Sequence, residues 1–163
     1  MPPPHPQNRI IFAPEPYKQQ GEKSIFLSGS IDKGRPTWQA RLSGALSILP
    51  ITILNPHRSD WDSSWVEDIS DRRFREQVEW EQDMMEAADV IAMYFSPDAQ
   101  APISLLELGL FARTGKVVVA CPEGYWKRGN VQVVCKRHGI ELLESLEELQ
   151  AAVHDKLRAS GQA

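Results

Sequence analysis

One carboxylate stands in the middle of an apolar segment. In "SLLELGL", residues 104–110, Glu107 lies between Leu106 and Leu108, with further leucines at positions 105 and 110. The spacing predicts the first turns of a buried helix. A carboxylate in apolar surroundings is costly unless it is paired, has a shifted pKa or is used in chemistry. Glu107 is therefore a candidate functional carboxylate; the alternative is a glutamate whose head reaches solvent.

A second carboxylate, Asp83, precedes the apolar segment "DVIAMYF" by six residues in a long amphipathic segment. If Val78 and Met85 mark the buried side of this helix, Asp83 faces inward as well. We expect Asp83 and Glu107 to lie close together, as a hypothesis that spacing alone does not prove.

The segment "SGSIDKGR" follows a short apolar run and precedes a helical pattern. Backbone N–H groups and hydroxyls at the start of a helix suit a phosphate or a sugar hydroxyl. Lys33 and Arg35 can neutralise a phosphate, or can be solvated surface charges. The segment is not a G-x-G-x-x-G fingerprint, and an ordinary strand-to-helix turn is the alternative. The candidate binding residues here are Ser28, Gly29 and Ser30.

The polar segment "NPHRSDWDSSW" carries two tryptophans and two aspartates within a few residues. A tryptophan here, at position 61 or 65, can stack on a planar base, an interaction worth about 1–3 kcal/mol. The aspartates can accept hydrogen bonds from a base, or donate a proton when neutral. Alternatively, the tryptophans only anchor a long loop, and His57 and Arg58 pair with the acids. The candidate binding residues are Asn55, Asp60, Trp61 and Asp62.

Strands alternate with helices along the rest of the chain, and this order predicts the fold that positions these residues. The predicted strands are "KSIFLSGS", "ITILN", "DVIAMYF", "KVVVACP" and "IELL". We expect an open, doubly wound, five-stranded parallel sheet with helices on both faces. Ligands bind such sheets beyond the carboxyl ends of the strands, and we expect the segments that follow the first four predicted strands to gather there. Thr37 is a predicted helix N-cap and Gly115 a helix stop.

Composition excludes several classes of protein. The 163 residues predict a proline-rich arm over 1–22 and a single domain over 23–163. The apolar runs are too short for a membrane helix, and no secretory signal is evident, so a cytoplasmic protein is expected. A net charge of −4 argues against a nucleic-acid surface. No Cys/His spacing indicates zinc, so no metal is expected.

Three segments together resemble one enzyme family. "FLSGSIDKGR", "EQDMMEAADVI" and "SLLELGLFARTGKVVV" are similar to the nucleoside 2-deoxyribosyltransferases and to the related hydrolases of deoxynucleoside 5′-monophosphates. "NPHRSDWD", "QVEWE" and "PISLLELGL" resemble the branch called nucleoside 2-deoxyribosyltransferase-like. The resemblance extends over roughly residues 23–135.

The resemblance implies a flavodoxin-like fold and a double displacement at the anomeric carbon of a nucleoside or nucleotide. Glu107 is the implied nucleophile, which forms a glycosyl-enzyme with retention of configuration. Asp83 is the implied partner that binds sugar hydroxyls, and the Gly29–Ser30 turn lines the sugar or 5′-phosphate pocket. No cofactor is implied. A homodimer or larger homo-oligomer is implied, in which Asn130 of a neighbouring subunit helps to complete the pocket.

Two positions depart from the family pattern. Phe26 stands where the family often has a tyrosine that orients the nucleophile, and Ala101 stands where the transferases commonly have an aspartate that assists base protonation. The leaving base must then be protonated by another group, for which the candidates are Asp60, Asp62, Asp98 and His57.

Three functions are therefore weighed: cleavage or exchange of N-glycosidic bonds, a nucleotide-binding sensor or interaction module that kept the pocket, and hydrolysis of a larger nucleotide such as NAD.

Overall fold

The computed structural model describes residue 1, residues 7–31 and residues 34–159 of the chain. The strands are β1 (Arg9–Phe12), β2 (Ser24–Gly29), β3 (Thr52–Asn55), β4 (Val90–Tyr94), β5 (Val117–Ala120) and β6 (Leu142–Leu143). The α-helices are α1 (Trp38–Ala45), α2 (Arg72–Ala87), α3 (Pro102–Phe111), α4 (Arg128–Arg137) and α5 (Leu146–Ala159), with a 3₁₀ turn at Ala112–Thr114. The strands form one sheet in the order β1-β3-β2-β4-β5-β6, and every neighbouring pair is parallel.

Two helical layers cover the sheet because its strands are apolar on both faces. Along β2, Ile25 and Leu27 point to one face, and Phe26 and Ser28 point to the other. The first face packs against α1 and α5, and the second against α2, α3 and α4. The predicted α/β sheet with helices on both faces is confirmed.

The predicted number of strands is wrong, because the sheet has six strands rather than five. The additional strand, β1, lies within the segment expected to be an arm. It pairs with β3 in register, Arg9 opposite Thr52 and Phe12 opposite Asn55. Ile11 is buried in the core. A strand of four residues flanked by prolines carries too little periodicity to be recognised from the sequence.

The helix boundaries follow local chemistry. Thr37 caps α1, since its side chain accepts a hydrogen bond from the Ala40 N–H at 3.2 Å. Gly115 ends the segment after α3 in a left-handed conformation, with φ of 76°. Both were predicted from residue type.

Two inward-facing surfaces differ from prediction. Helix α3 is not buried all round, because Leu106 and Leu110 are exposed. Helix α2 buries Gln77, Trp80, Met84 and Met85. The predicted burial of Met85 is confirmed, whereas Val78, which was expected on the same side, is only half-buried. The face of α2 that is turned toward the sheet decides which acid lies near Glu107.

The strand order creates a crevice between β2 and β4. The chain leaves β2 toward β3 on one side, then crosses back to β4 on the other side. The two strands end together, with Gly29 opposite Tyr94. Parallel sheets bind ligands where the connections diverge in this way. In the part of the chain that is described, no helix is both long and apolar enough to span a membrane.

Candidate active site

Glu107 lies on the buried face of α3, directly above the end of β2. It is 8% exposed, and its Oε2 accepts a hydrogen bond of 2.9 Å from the Ser28 hydroxyl. Burial, together with the nearby charge of Glu81, raises the pKa of Glu107 to about 8, while the bond from Ser28 acts in the opposite direction. The carboxylate is therefore desolvated and held in one orientation, as a nucleophile requires.

The acid that faces Glu107 from α2 is Glu81. Asp83 is exposed, so its predicted inward orientation is wrong. Successive residues of an α-helix are about 100° apart, which places Asp83 about 200° around α2 from Glu81. Burial raises the pKa of Glu81 as well, opposed by a hydrogen bond from Gln77. Two carboxyl groups in one desolvated site favour a state in which one of them holds a proton.

Gln77 connects Glu81 to the loop after β3. Its Nε2 donates to the Pro56 carbonyl at 2.9 Å and to Glu81 Oε1 at 2.8 Å. The Gln77 Oε1 is buried and has no hydrogen-bond partner among the described residues. Because the Pro56 carbonyl can only accept a hydrogen bond, the Nε2 group of the Gln77 side chain must be the one that faces Pro56. Gln77 and Glu81 were missed in the sequence, although the helical repeat through 77, 80, 84 and 88 marks their face of α2 as buried.

The end of β2 is shaped mainly by packing. Phe26 is buried, with its ring centroid 6.3 Å from that of Trp80. A side chain at Gly29 would place its Cβ 2.4 Å from the Tyr94 carbonyl oxygen, so only glycine fits. Ser30 is fully buried, and its hydroxyl accepts a hydrogen bond of 2.8 Å from the Ser96 N–H. These residues tie the β2 and β4 ends together.

A cavity of about 410 Å³ opens beside this turn, at the N-terminus of α3. It is lined by Gly29, Ile31 and residues 98–104, which include Asp98 and Ser104. Ser104 is 4% exposed and precedes Glu107 by three residues, so both lie on one helix face. The Ser96 hydroxyl donates to Asp98. Lys33 lies outside the described residues, and Arg35 is exposed and donates to the Gly34 carbonyl.

Ala101 begins α3 in a left-handed conformation, with φ of 46° and ψ of 51°. This conformation costs a non-glycine residue about 1 kcal/mol. The Gln100 carbonyl before it accepts hydrogen bonds from the Tyr125 hydroxyl at 2.7 Å and from Trp126 Nε1 at 2.8 Å. No side chain caps α3, so its first N–H groups are available at the cavity.

The loop after β3 is built around Trp65. Trp65 is buried, and the guanidinium groups of Arg58 and Arg73 lie 4.7 and 5.2 Å from its ring centroid. Trp61 packs on Trp65 at 4.8 Å but is 45% exposed. Trp65 therefore anchors the loop, whereas Trp61 presents a free aromatic surface.

The polar residues of this loop bond mainly to the loop itself. Asn55 is buried and accepts a hydrogen bond of 2.9 Å from the His57 N–H. The bond from Arg58 lowers the pKa of Asp60, and the bonds from Ser64 lower the pKa of Asp62. Both aspartates are thus ionised at neutral pH and are poor proton donors to a leaving base.

Asn130 lies on α4 and is exposed. It lines a separate groove of about 390 Å³ between α3 and α4, together with Gly109 and Trp126. Within one chain, the structure does not bring Asn130 to the cavity beside Glu107. No group of three or more metal-ligating side chains occurs in the described ranges.

The described geometry agrees with a family assignment. The family model described as nucleoside 2-deoxyribosyltransferase like matches residues 22–125, more than half of the chain, and the chain belongs to this family. A search of curated proteins gives no match. The family match includes β2, α2 and α3, the elements that carry Ser28, Glu81 and Glu107.

Proposed function

We propose that this protein cleaves or exchanges the N-glycosidic bond of a (deoxy)nucleoside or nucleoside 5′-monophosphate through a glycosyl-enzyme on Glu107. The single observation that carries the proposal is the buried Glu107 carboxyl group at the end of β2, which is bonded to Ser28 and faces the half-buried Glu81 of α2. Membership of the family supports the same class of reaction.

In the first step, an ionised oxygen of Glu107 attacks C1′ of the sugar. A C–O bond forms, the C1′–N bond breaks, and its electron pair leaves with the base, which takes up a proton. In the second step, water or another base attacks C1′, loses a proton and regenerates the carboxylate. Two inversions give overall retention.

Glu81 and Ser28 have distinct roles in this mechanism. Glu81 takes the role that the family resemblance assigned to Asp83: it accepts hydrogen bonds from sugar hydroxyls beside the nucleophile. Ser28 orients Glu107, and so supplies the hydroxyl that Phe26 lacks, on the same face of β2 two residues later. The departure at Phe26 therefore does not remove the orienting hydrogen bond.

The base lies toward the loop after β3 in this arrangement. Trp61 offers the exposed ring on which a base can stack. Asp60 and Asp62 are unsuited to protonating the base because their pKa values are lowered. His57 and Asp98 are the candidates that this leaves.

We also propose a homodimer, formed through the outer face of α3. Ile103, Leu106 and Leu110 form an exposed apolar stripe at helical spacing, next to the groove that contains Gly109 and Asn130. A second copy seated on this stripe buries it and brings its own Asn130 close to the first copy. A two-fold interface of this kind uses the same surface on both subunits.

The experiment that tests the proposed function is chromatographic detection of released base. Wild type, Glu107→Gln and the exposed control Glu86→Gln are incubated with ribo- and deoxyribonucleosides, their 5′-monophosphates and NAD, with and without an acceptor base. We expect wild type and Glu86→Gln to release base and Glu107→Gln to be inactive. A new nucleoside formed only with acceptor identifies a transferase, and release from NAD alone identifies a hydrolase of larger nucleotides. Full activity in Glu107→Gln would exclude the covalent mechanism. If wild type released no base from any of these substrates, the result would favour a binding module.

A further inference from the structure

Gln77 is a buried amide on the apolar face of α2. It is 5% exposed, and the other buried residues of this helix are Trp80, Met84 and Met85. Its Oε1 has no hydrogen-bond partner among the described residues, although the atom is buried. A buried polar atom without a partner destabilises a fold, whereas an apolar side chain of similar length would pack there without that cost. Packing therefore does not explain why a glutamine occupies this position.

The loop after β3 is attached to α2 by contacts that do not involve Gln77. Arg58 Nη1 lies 3.3 Å from Glu76 Oε1, and the Val66 N–H donates to Asp71 at 2.9 Å. Glu76 is part of α2, and Asp71 is its N-cap, so both contacts join the loop to the helix. The hydrogen bond from Gln77 to this loop therefore adds to an attachment that is already made.

Gln77 also donates a hydrogen bond to Glu81, one helical turn later. Its Nε2 is 2.8 Å from Glu81 Oε1 and 2.9 Å from the Pro56 carbonyl oxygen, so the loop orients the amide and the amide orients the carboxylate. Burial raises the pKa of Glu81, and the bond from Gln77 opposes this effect. Burial and then the charge of Glu81 raise the pKa of Glu107. Gln77 thus influences, through Glu81, the negative charge beside the nucleophile.

We propose that Gln77 is a positioning residue, which holds the Glu81 carboxylate toward Glu107 and ties it to the start of the loop after β3. Gln77 does not contact the reacting atoms and acts through Glu81. The inference rests on the proposed function for the roles of Glu81 and Glu107. It deepens that function, because it joins the acid that binds the sugar to the loop that carries Trp61.

A titration of Glu107 without substrate tests this link. Carbon-13 NMR of glutamate-labelled protein follows the Glu107 carboxyl group, whose signal is assigned with Glu107→Gln. In Gln77→Met, which keeps the side-chain length and removes the donor, Glu81 turns away or takes up the proton that the two acids share. Both responses reduce the negative charge beside Glu107, so Glu107 should ionise at lower pH than in wild type. The matched control is Gln82→Met, an exposed glutamine of the same helix, which should leave the titration unchanged.

The same substitution in a Glu81→Ala background shows whether Gln77 acts through Glu81. There, Gln77→Met should shift the titration of Glu107 no further, because the acceptor is already gone. In the base-release assay, Gln77→Met should raise KM about tenfold and change kcat less, since a hydrogen bond that holds the sugar-binding acid is lost. The unfolding temperature of Gln77→Met should not fall, because the unpartnered amide oxygen is removed together with the donor.

Three results would overturn the role of Gln77. They are an unchanged titration of Glu107 in Gln77→Met, an equal shift in the Glu81→Ala background, and a Gln77→Met protein that does not fold, which would make the glutamine structural.

Base release separates this inference from the proposed function. If wild type releases no base but Gln77→Met shifts the titration, the proposed function fails and the positioning of Glu81 stands. If wild type releases base and Gln77→Met changes neither the titration nor KM, the function stands and the positioning role is wrong.

Discussion

The hydroxyl of Ser28 donates to Glu107 Oε2 at 2.9 Å, joining residues 79 positions apart in the sequence. Both partners are almost fully buried, so this hydrogen bond is made without competition from water. Because the bond favours the ionised form of Glu107, it opposes the effect of burial on the pKa. Ser28 thus limits the rise in the pKa of Glu107, and the ionised, nucleophilic form of Glu107 becomes the major one only above about pH 8.

Replacing Ser28 with alanine tests this relationship. Hydrogen bonds to charged groups are worth about 1.5–3 kcal/mol, so we expect kcat/KM to fall by about tenfold or more. The pKa of Glu107 should rise further, and the pH of half-maximal activity should move upward with it. The measurement is a pH–rate profile of base release.

Ser43→Ala is the matched control, because Ser43 is also buried but its hydroxyl has no partner among the described residues. It should leave both rate and profile unchanged. If Ser28→Ala behaves like this control, the hydrogen bond does not support catalysis.

The sequence predicted the sheet, its parallel connections and the burial of Glu107, because strong apolar periodicity and strand–helix alternation carry that information. It did not reveal the partner of Glu107. The choice between Glu81 and Asp83 depends on which face of α2 is turned toward the sheet, and the expected burial of Val78 favoured Asp83. Gln77 was missed because glutamine is mostly exposed in folded proteins, so its burial is not expected from the sequence. The strand at Arg9–Phe12 was missed because it forms by pairing with β3, and such a distant partner is not evident from the local sequence.

Paired variants on α2 test which acid serves the site. Glu81→Gln removes a negative charge near Glu107, so the pKa of Glu107 should fall and the pH–rate profile should move to lower pH. KM should rise as well, because a sugar contact is lost. Asp83→Asn, on the exposed side of the helix, should change neither. An inactive Asp83→Asn with an unaffected Glu81→Gln would reverse the assignment.

Glu107→Gln should make the fold more stable, and more so at high pH. The pKa of Glu107 is about 8 in the folded state, against an ordinary value of 4.5, so the folded protein keeps a proton that the unfolded chain releases. The stability present below the unfolded pKa is therefore lost as pH rises through this window. Each pKa unit corresponds to about 1.4 kcal/mol, which makes the penalty on the order of a few kcal/mol at high pH.

Thermal unfolding at about pH 5 and pH 9 measures this effect, with a matching rise of several degrees in Tm expected for Glu107→Gln at the higher pH. The exposed Glu86→Gln should show no such difference. A Tm for Glu107→Gln that is below wild type at both pH values would mean that the carboxylate stabilises the fold.

The apolar stripe on α3 predicts the effect of a charge placed on it. Leu106 is 58% exposed at the centre of the stripe, and a stable two-fold interface typically buries about 800 Å² on each partner. Leu106→Glu would set two like charges across the interface, so the dimer should dissociate into monomers. Light scattering after size exclusion measures the mass directly.

Ile48→Glu is the control, since Ile48 is equally exposed, at 61%, and follows α1 in the other helical layer. Wild type and Ile48→Glu should have twice the mass of Leu106→Glu. A monomeric wild type, or a dimer that survives Leu106→Glu, would show that this face of α3 does not hold two copies together.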